Sequence, residues 1–375
     1  MSQVQRRLIT YCTNIHPGEN WAETFAALRE HIPLVKADFS PDTLFPLGLR
    51  LSQQAAAELD GDANPRFADW LSENGCYVPT INAFPYGTFH NSRVKEQVYL
   101  PDWRSPERVA YTCLVARLLS AWLPAGMTGS ISTVPVGFRA QLTLADLPLV
   151  RANIVAVLDE LAAIRQQTGR EIILALEPEP ACYIESSADF CEFVDTLSLP
   201  SELSGFLGIC LDTCHLAVQF EEPVEVIARL KGAGIRIAKV QASSALAVID
   251  PAPQLLERFR EPCYLHQVVI RRADGSMERY DDLPDALDRH RREPGDEWRC
   301  HFHLPLFFAG DGAIGTTRPF LEGLLPQLPG DTLLEVETYT WDVLPPELRQ
   351  GPVTAAIVRE LQWLEARIDA AYRCP

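Results

Sequence analysis

Residues 206–215 read FLGICLDTCH, an apolar run that closes on Asp212 and His215, three apart. A run with no polar alternation is the pattern of a strand buried on both faces, as in a parallel sheet covered by helices. Seven other runs share it: LITYCTNI (8–15), PLGLRLS (46–52), YVPTINAF (77–84), GSISTVPV (129–136), EIILALE (171–177), IRIAKVQ (235–241) and DTLLEVE (331–337). Amphipathic helical stretches lie between them. These are 20–36, 105–123 with Pro106 behind a serine cap, 143–169 stopping on Gly169, 186–197 and 223–234; 354–372 follows the last strand. Eight strands alternating with helices predict an α/β fold, a (β/α)8 TIM barrel, as one domain over residues 1–375.

One interval is too long. About ninety residues separate the seventh strand from the eighth, more than one helix needs. YLHQVVIRR (264–272) and SMERYDDL (276–283) flank an ADG turn and read as a hairpin. WRCHFHLPLF (298–307) reads as another strand, and REPGDEW (292–298) as an exposed loop. The expectation is an inserted β element at about 262–307, before the last barrel strand and over the barrel mouth.

Composition narrows the function. The net charge of −17 argues against nucleic-acid binding and against docking on anionic membranes. No apolar run reaches spanning length, and the N-terminal stretch lacks the pattern of a secretory signal. Ten cysteines without a C-x-x-C pair are expected to be reduced, core-packed thiols in a cytoplasmic protein.

In such a barrel, active residues gather at the C-terminal ends of the strands. Those ends carry Asn14 and His16; Asn82 and His90; Glu177 and Glu179; Asp212 and His215; Lys239 and Gln241; Glu335 and Glu337. The insertion adds His266, and His301 with His303 on one face by strand alternation. Six of the eight histidines fall in these places. Carboxylates at the ends of apolar strands are costly to bury unless paired or metal-bound. Glu177, Asp212 and Glu337 in one cup would repel one another, and a divalent cation resolves that repulsion. Mixed nitrogen and oxygen donors suit Mn, Zn, Fe or Co better than Mg. The candidate ligands are Glu177, Asp212, His215, Gln241, His301, His303 and Glu337. Simpler uses are open too: Asp212 as a helix cap, the glutamates in ion pairs with arginine, and the histidines in structural hydrogen bonds. Lys239 is free to bind an anionic substrate or to pair with a carboxylate.

The stretches LALEPEP, CLDTCH, KVQASS and LEVETYTW resemble the metal-ligand strands of the xylose-isomerase-like barrels, which include sugar isomerases, epimerases and endonuclease IV-type enzymes. YCTNIHPGENW, INAFPYGTFH, VKEQVYLPDW, GSISTVP and VETYTWDVLP, spanning residues 11–346, resemble the metabolite traffic protein EboE family. The superfamily resemblance implies a divalent metal held by Glu177, Asp212, the seventh-strand position and Glu337. Glutamine stands at that seventh-strand position, as Gln241, where the family pattern has histidine, so an imidazole is expected from His215 or the insertion.

The chemistry expected is metal-dependent isomerisation or epimerisation of a small polyhydroxylated, sugar- or cyclitol-like metabolite. The cation would act as a Lewis acid towards an enediolate, with Glu177 and Glu337 exchanging a proton and His215 and Lys239 assisting. His16, Asn82, His90, Glu179, His266, Glu335 and Trp341 are the expected substrate contacts. The EboE resemblance implies a setting among the proteins of a secondary-metabolite gene cluster. The rival readings are a multinuclear phosphoester hydrolase and a non-catalytic metabolite carrier on the same barrel.

Overall fold

The computed structural model describes residues 8–90 and 94–373. Strands are numbered in chain order. The barrel is built from β1 (Ile9–Tyr11), β2 (Phe45–Arg50), β3 (Cys76–Asn82), β4 (Thr128–Thr133), β5 (Glu171–Leu176), β6 (Leu207–Asp212), β7 (Arg236–Ala242) and β13 (Leu334–Val336). They form one parallel eight-stranded sheet in the order β1-β13-β7-β6-β5-β4-β3-β2. Each of the eight apolar runs therefore supplies one barrel strand.

The sheet closes between β1 and β2 through a single bridge, Cys12 to Gly48. A side chain completes that seam. Thr10 Oγ1 donates to the Pro46 carbonyl (2.6 Å) and accepts from the Gly48 amide (3.1 Å). Gly48 is required there, because a Cβ would fall on the Glu335 carboxylate and 2.6 Å from the Tyr11 carbonyl.

The helices follow their local signals. Asn20 caps Trp21–Phe39 by accepting from the Glu23 amide, and Ser186 and Asp189 form a capping box for Ser187–Leu197. The expected helix 143–169 is divided: a 3-10 turn at Leu144–Asp146 precedes the α-helix Leu147–Thr168. Pro148 sets that boundary, since a proline fits the first helical turn and not the interior. The helix ends on Gly169 in the left-handed region, φ 70°.

Between β7 and β13 lies a second, antiparallel sheet of β8 (Leu246–Ile249), β9 (Val268–Arg271), β10 (Met277–Tyr280), β11 (Glu297–Cys300) and β12 (Gly315–Thr316), in the order β10-β9-β11-β8-β12. β9 and β10 are the expected hairpin, turning through Ala273, Asp274 and Gly275, with Gly275 at φ 85°. The sheet reaches beyond 262–307 at both ends, through β8 and β12. The strand expected over 298–307 stops at Cys300. There the Phe302 amide turns back to the Cys300 carbonyl (2.7 Å), and Pro305 has no amide to donate. The exposed loop expected over 292–298 ends before β11, and Asp296 within it is buried. The nine described cysteines are unpaired thiols. No described helix is long and apolar enough to cross a membrane.

Candidate metal centre

Asp212 serves two purposes at the end of β6. Its Oδ1 accepts from the His215 amide (3.0 Å), capping the helix Thr213–Val218, and from Ser243 Oγ (2.7 Å). Its Oδ2 has no hydrogen-bond partner and faces the cup. Glu177, one residue past β5, and Glu337, one past β13, bring carboxylate oxygens within 4.8 Å of it and of each other. Glu177 Oε2 is also without a partner. Glu337 Oε1 accepts from Asn14 Nδ2 (2.8 Å) and Asn82 Nδ2 (3.1 Å), so amides from the turn after β1 and from the end of β3 orient it.

Three imidazoles meet this acidic cluster. His215 Nδ1 donates to the Pro178 carbonyl (2.8 Å), His301 Nδ1 to Gln267 Oε1 (2.6 Å) and His303 Nδ1 to the Glu337 carbonyl (2.8 Å). Each of those partners can only accept, so each Nδ1 carries the hydrogen and each Nε2 of a neutral ring is a lone pair. The Nε2 atoms converge: His215 to His301 is 3.0 Å and His301 to His303 is 3.2 Å. His215 and His303 Nε2 lie 3.8 and 4.0 Å from Asp212 Oδ2. Converging lone pairs beside unpartnered buried carboxylate oxygens are repulsive without a cation or a proton between them. Carbonyl-anchored Nδ1 atoms aiming Nε2 inward are the usual support of a metal-ligating histidine. The donor set therefore fits a divalent cation.

The electrostatics agree. Burial raises Glu177 to about 7, with His215 opposing and Asp212 adding to the rise. Burial, then Glu177 and Asp212, push Glu337 well above its ordinary range. For Asp212 the upward push of burial is outweighed by His215, His303 and its hydrogen bonds, and it stays below its usual value. His301 is driven well below the imidazole range by burial and by His215 and His303. Burial lowers His303 to about 4. His215 moves the other way: desolvation lowers it, but Asp212, Glu179 and Glu177 together hold it above its ordinary value. The acidic cluster thus favours positive charge at this point of the cup.

The other expected residues divide into layers. Glu179 lies at the mouth, accepting from Tyr99 Oη (2.8 Å), and forms a further possible ligand group with His215 and His301. Asn82 lines the mouth as well. Lys239 and Glu335 are fully buried, ion-paired with each other and outside the mouth lining. Burial pushes Lys239 down, and Glu335, Cys210, Cys12 and Glu177 together more than reverse that. Gln241, with its amide turned to satisfy both ends, donates to Glu335 Oε2 (2.9 Å) and accepts from Lys239 Nζ (3.3 Å). His266 sits behind the cup, with Nδ1 donating to the His301 carbonyl (2.8 Å) and Nε2 against Glu261 (2.7 Å). His90 bridges the Asn14 carbonyl and Tyr264 Oη. His16 bonds Tyr11 Oη and stacks on His31 at 4.0 Å, away from the mouth. Trp341 is packed in the core.

Sequence reasoning missed Ser243, Gln267, Tyr99, Tyr264 and Tyr339. Ser243 and Tyr339 each lie two residues past an inward-facing position, and Gln267 adjoins His266, which is the signal available for them.

No protein-family model matches the chain, and no curated protein matches it. Solved structures do. An IOLI protein with a bound zinc atom is 13% identical, with a TM-score of 0.52 over 97% of this chain and 99% of that one. A xylose isomerase-like TIM barrel protein from Mycobacterium smegmatis, in complex with magnesium, is 11% identical, with a TM-score of 0.55 over 99% of each chain. This chain shares the TIM-barrel fold of these structures. An L-ribulose 3-epimerase shares it too, at 12% identity and a TM-score of 0.53 over 98% of this chain and 96% of that one. Within this barrel fold the cup lies at the C-terminal ends of the strands, where TIM-barrel chemistry is housed.

Proposed function

We propose that the chain is a metal-dependent isomerase or epimerase for a small, oxygen-rich metabolite bearing a carbonyl beside a hydroxyl. The observation that carries this is the meeting of three lone-pair Nε2 atoms with the unpartnered oxygens of Asp212 and Glu177. His215, His301 and His303 with Asp212, Glu177 and Glu337 are the proposed ligands, and the imidazole share favours Zn, Mn, Fe or Co over Mg. Gln241 acts as the hydrogen-bond link to the Lys239–Glu335 pair. A bound cation would supply Lewis acidity towards the carbonyl and hydroxyl oxygens.

Glu177 and Glu337 are the proposed proton carriers. Glu177, whose Oε2 has no partner, would take and return the proton, and Asn14 and Asn82 fix the angle of Glu337. Glu179, steadied by Tyr99, is placed to hold a substrate hydroxyl. One barrel of this fold is an L-ribulose 3-epimerase, which supports the reaction class. The EboE-like motifs support a secondary-metabolite setting, and the acidic chain with its reduced thiols supports a cytoplasmic one.

The adjoining ligand groups around Asp212 favour a second reading, a multinuclear phosphoester hydrolase. Metal analysis of the purified protein, paired with proton NMR of hydroxyketones in D2O, separates the two. One equivalent of metal and metal-dependent loss of the α-proton signal, abolished in Glu177→Gln, is the expected result. Two or three equivalents with phosphoester cleavage and no exchange would replace the proposal with its rival.

A further inference from the structure

The mouth above the cup holds a cavity of about 60 Å³ that opens to solvent. Its floor is polar, made by Asn14, Asn82, Glu177, Glu179, His215 and Glu337. Its wall is not. Phe84, Phe89, Val94, Val98 and Leu265 face the space, supplied by the segment after β3 and by the insertion. Phe89, Tyr264 and Tyr339 form a triangle of rings with centroids 5.1 to 5.3 Å apart.

Apart from Tyr339 Oη, 3.4 Å from His301 Nε2, the polar atoms on this wall are already engaged. Lys95 Nζ turns away to the Tyr264 carbonyl (2.7 Å) and Asp282 (2.5 Å), leaving its methylene stem as lining. Tyr264 Oη meets His90 Nδ1 (3.2 Å), and Tyr99 Oη is committed to Glu179. Arg50, behind Phe89, donates to the Gly18 and Gly87 carbonyls. A polyol lying along such a wall would leave its hydroxyls without partners, which a desolvated site penalises heavily. Aromatic faces alone would accept the C–H face of a sugar ring; Val94, Val98 and Leu265 beside them are surfaces for hydrocarbon.

We infer that the natural substrate is amphipathic: an oxygen-rich head that reaches the cup, joined to an apolar alkyl or aryl arm that lies against this wall. The inference rests on the proposed function for the head and on the wall alone for the arm. It excludes free sugars as the preferred ligand and makes the segment after β3, with the insertion, the determinant of specificity.

Calorimetric titration of the zinc-loaded protein with 1-hydroxy-2-alkanones, from hydroxyacetone upward in single methylene steps, tests it. Affinity should rise about fourfold per methylene until the wall is covered, and each ketose matched in length should bind more weakly than its alkanone. Val98→Asn, and Phe89→Ser as a second variant, should flatten the rise without lowering zinc content. A flat series in the native protein overturns the apolar arm, and zinc-dependent binding of hydroxyacetone would then leave the proposed function standing. A rise that persists undiminished in chelator supports the arm and removes the cation from head recognition. Failure of every member to bind, with and without zinc, overturns the inference.

Discussion

Glu177→Gln sets the two states of the cup against each other. In the cation-free protein Glu177 is raised from 4.5 to about 7, chiefly by burial. At about 1.4 kcal/mol per unit, this opposes its ionisation by about 3 kcal/mol. The sign follows from the direction of the shift. A folded-state value above the unfolded one gives stability that is whole below about 4.5 and lost as pH rises through about 7. Glutamine keeps the shape and has no charge to develop. At about pH 8 in chelator the variant should therefore exceed the native chain by up to about 3 kcal/mol, and at about pH 4 the advantage should vanish. For 375 residues the unfolding entropy is about 0.8 kcal/mol/K, so the gain is about 4 °C in melting temperature. Zinc should act the other way. At about a thousand times its Kd it stabilises the native chain by about 4 kcal/mol, or about 5 °C; a site weakened about a hundredfold gains about 1.4 kcal/mol, or about 2 °C. Scanning calorimetry of both proteins, in chelator and in zinc, reads all four values. A variant that melts no higher than the native chain in chelator, or a zinc shift equal in the two proteins, would refute the reasoning.

Protons on Glu177, Glu337 and His215, all held above their ordinary values, must leave when a cation enters. Apparent zinc affinity should thus fall below about pH 7 by about tenfold per pH unit for each proton displaced, and titration in buffers of different ionisation enthalpy should count those protons; affinity independent of pH would argue against these ligands. Gly48→Ala drives a Cβ into Glu335 and the Tyr11 carbonyl, and should lower stability by about 3 kcal/mol in urea unfolding. Thr10→Val strips the partners from the Gly48 amide and the Pro46 carbonyl at the seam, an expected loss of about 2 kcal/mol in the same assay; a loss below about 0.5 kcal/mol would mean the seam is held elsewhere.

The barrel was legible because its strands are apolar on both faces, and the runs broke off at residues such as Glu177, Asp212 and Glu337, where a strand meets the mouth. The insertion was harder to bound. β8 and β10 to β12 are at most four residues long, and several of their residues are half-exposed, so neither periodicity nor an apolar run marks them. Lys239 and Glu335 read with Gln241 and Glu337 as strand-end residues, and alternation puts each pair on one strand face. Alternation carries no depth, however. They lie two residues, about 7 Å, below Gln241 and Glu337 along their strands, where they meet each other inside the barrel. His301 and His303 were visible as residue types, but the turn at Cys300 that takes them out of the sheet and into the cup depends on the Gln267 and Ser244 carbonyls receiving their segment. The tyrosines of the mouth carry no unusual chemistry and come from three distant segments, so only the fold brings them together.

The division of ligands between barrel and insertion has a mechanical consequence. Glu177, Asp212, His215 and Glu337 belong to the barrel, while His301 and His303 belong to the stretch that leaves β11. A cation held by both sets would tie the antiparallel sheet to the barrel mouth. Without it, His301 and His303 are neutral rings pressed against His215, and the contact is repulsive unless a proton intervenes. The stabilisation from binding should therefore fall unevenly: β5 and β6, surrounded by other strands and by helices, gain little local protection, whereas β9 and β11 gain most. Amide hydrogen exchange in zinc and in chelator measures this directly. Chelation should speed exchange at Val268–Arg271 and Glu297–Cys300 by at least about tenfold, while Ile172–Leu176 and Gly208–Leu211 change by less than about threefold. Equal acceleration of both regions would mean that the cation stabilises the barrel as a whole and does not fasten the insertion to it, and His301 and His303 would then lose their place among the ligands.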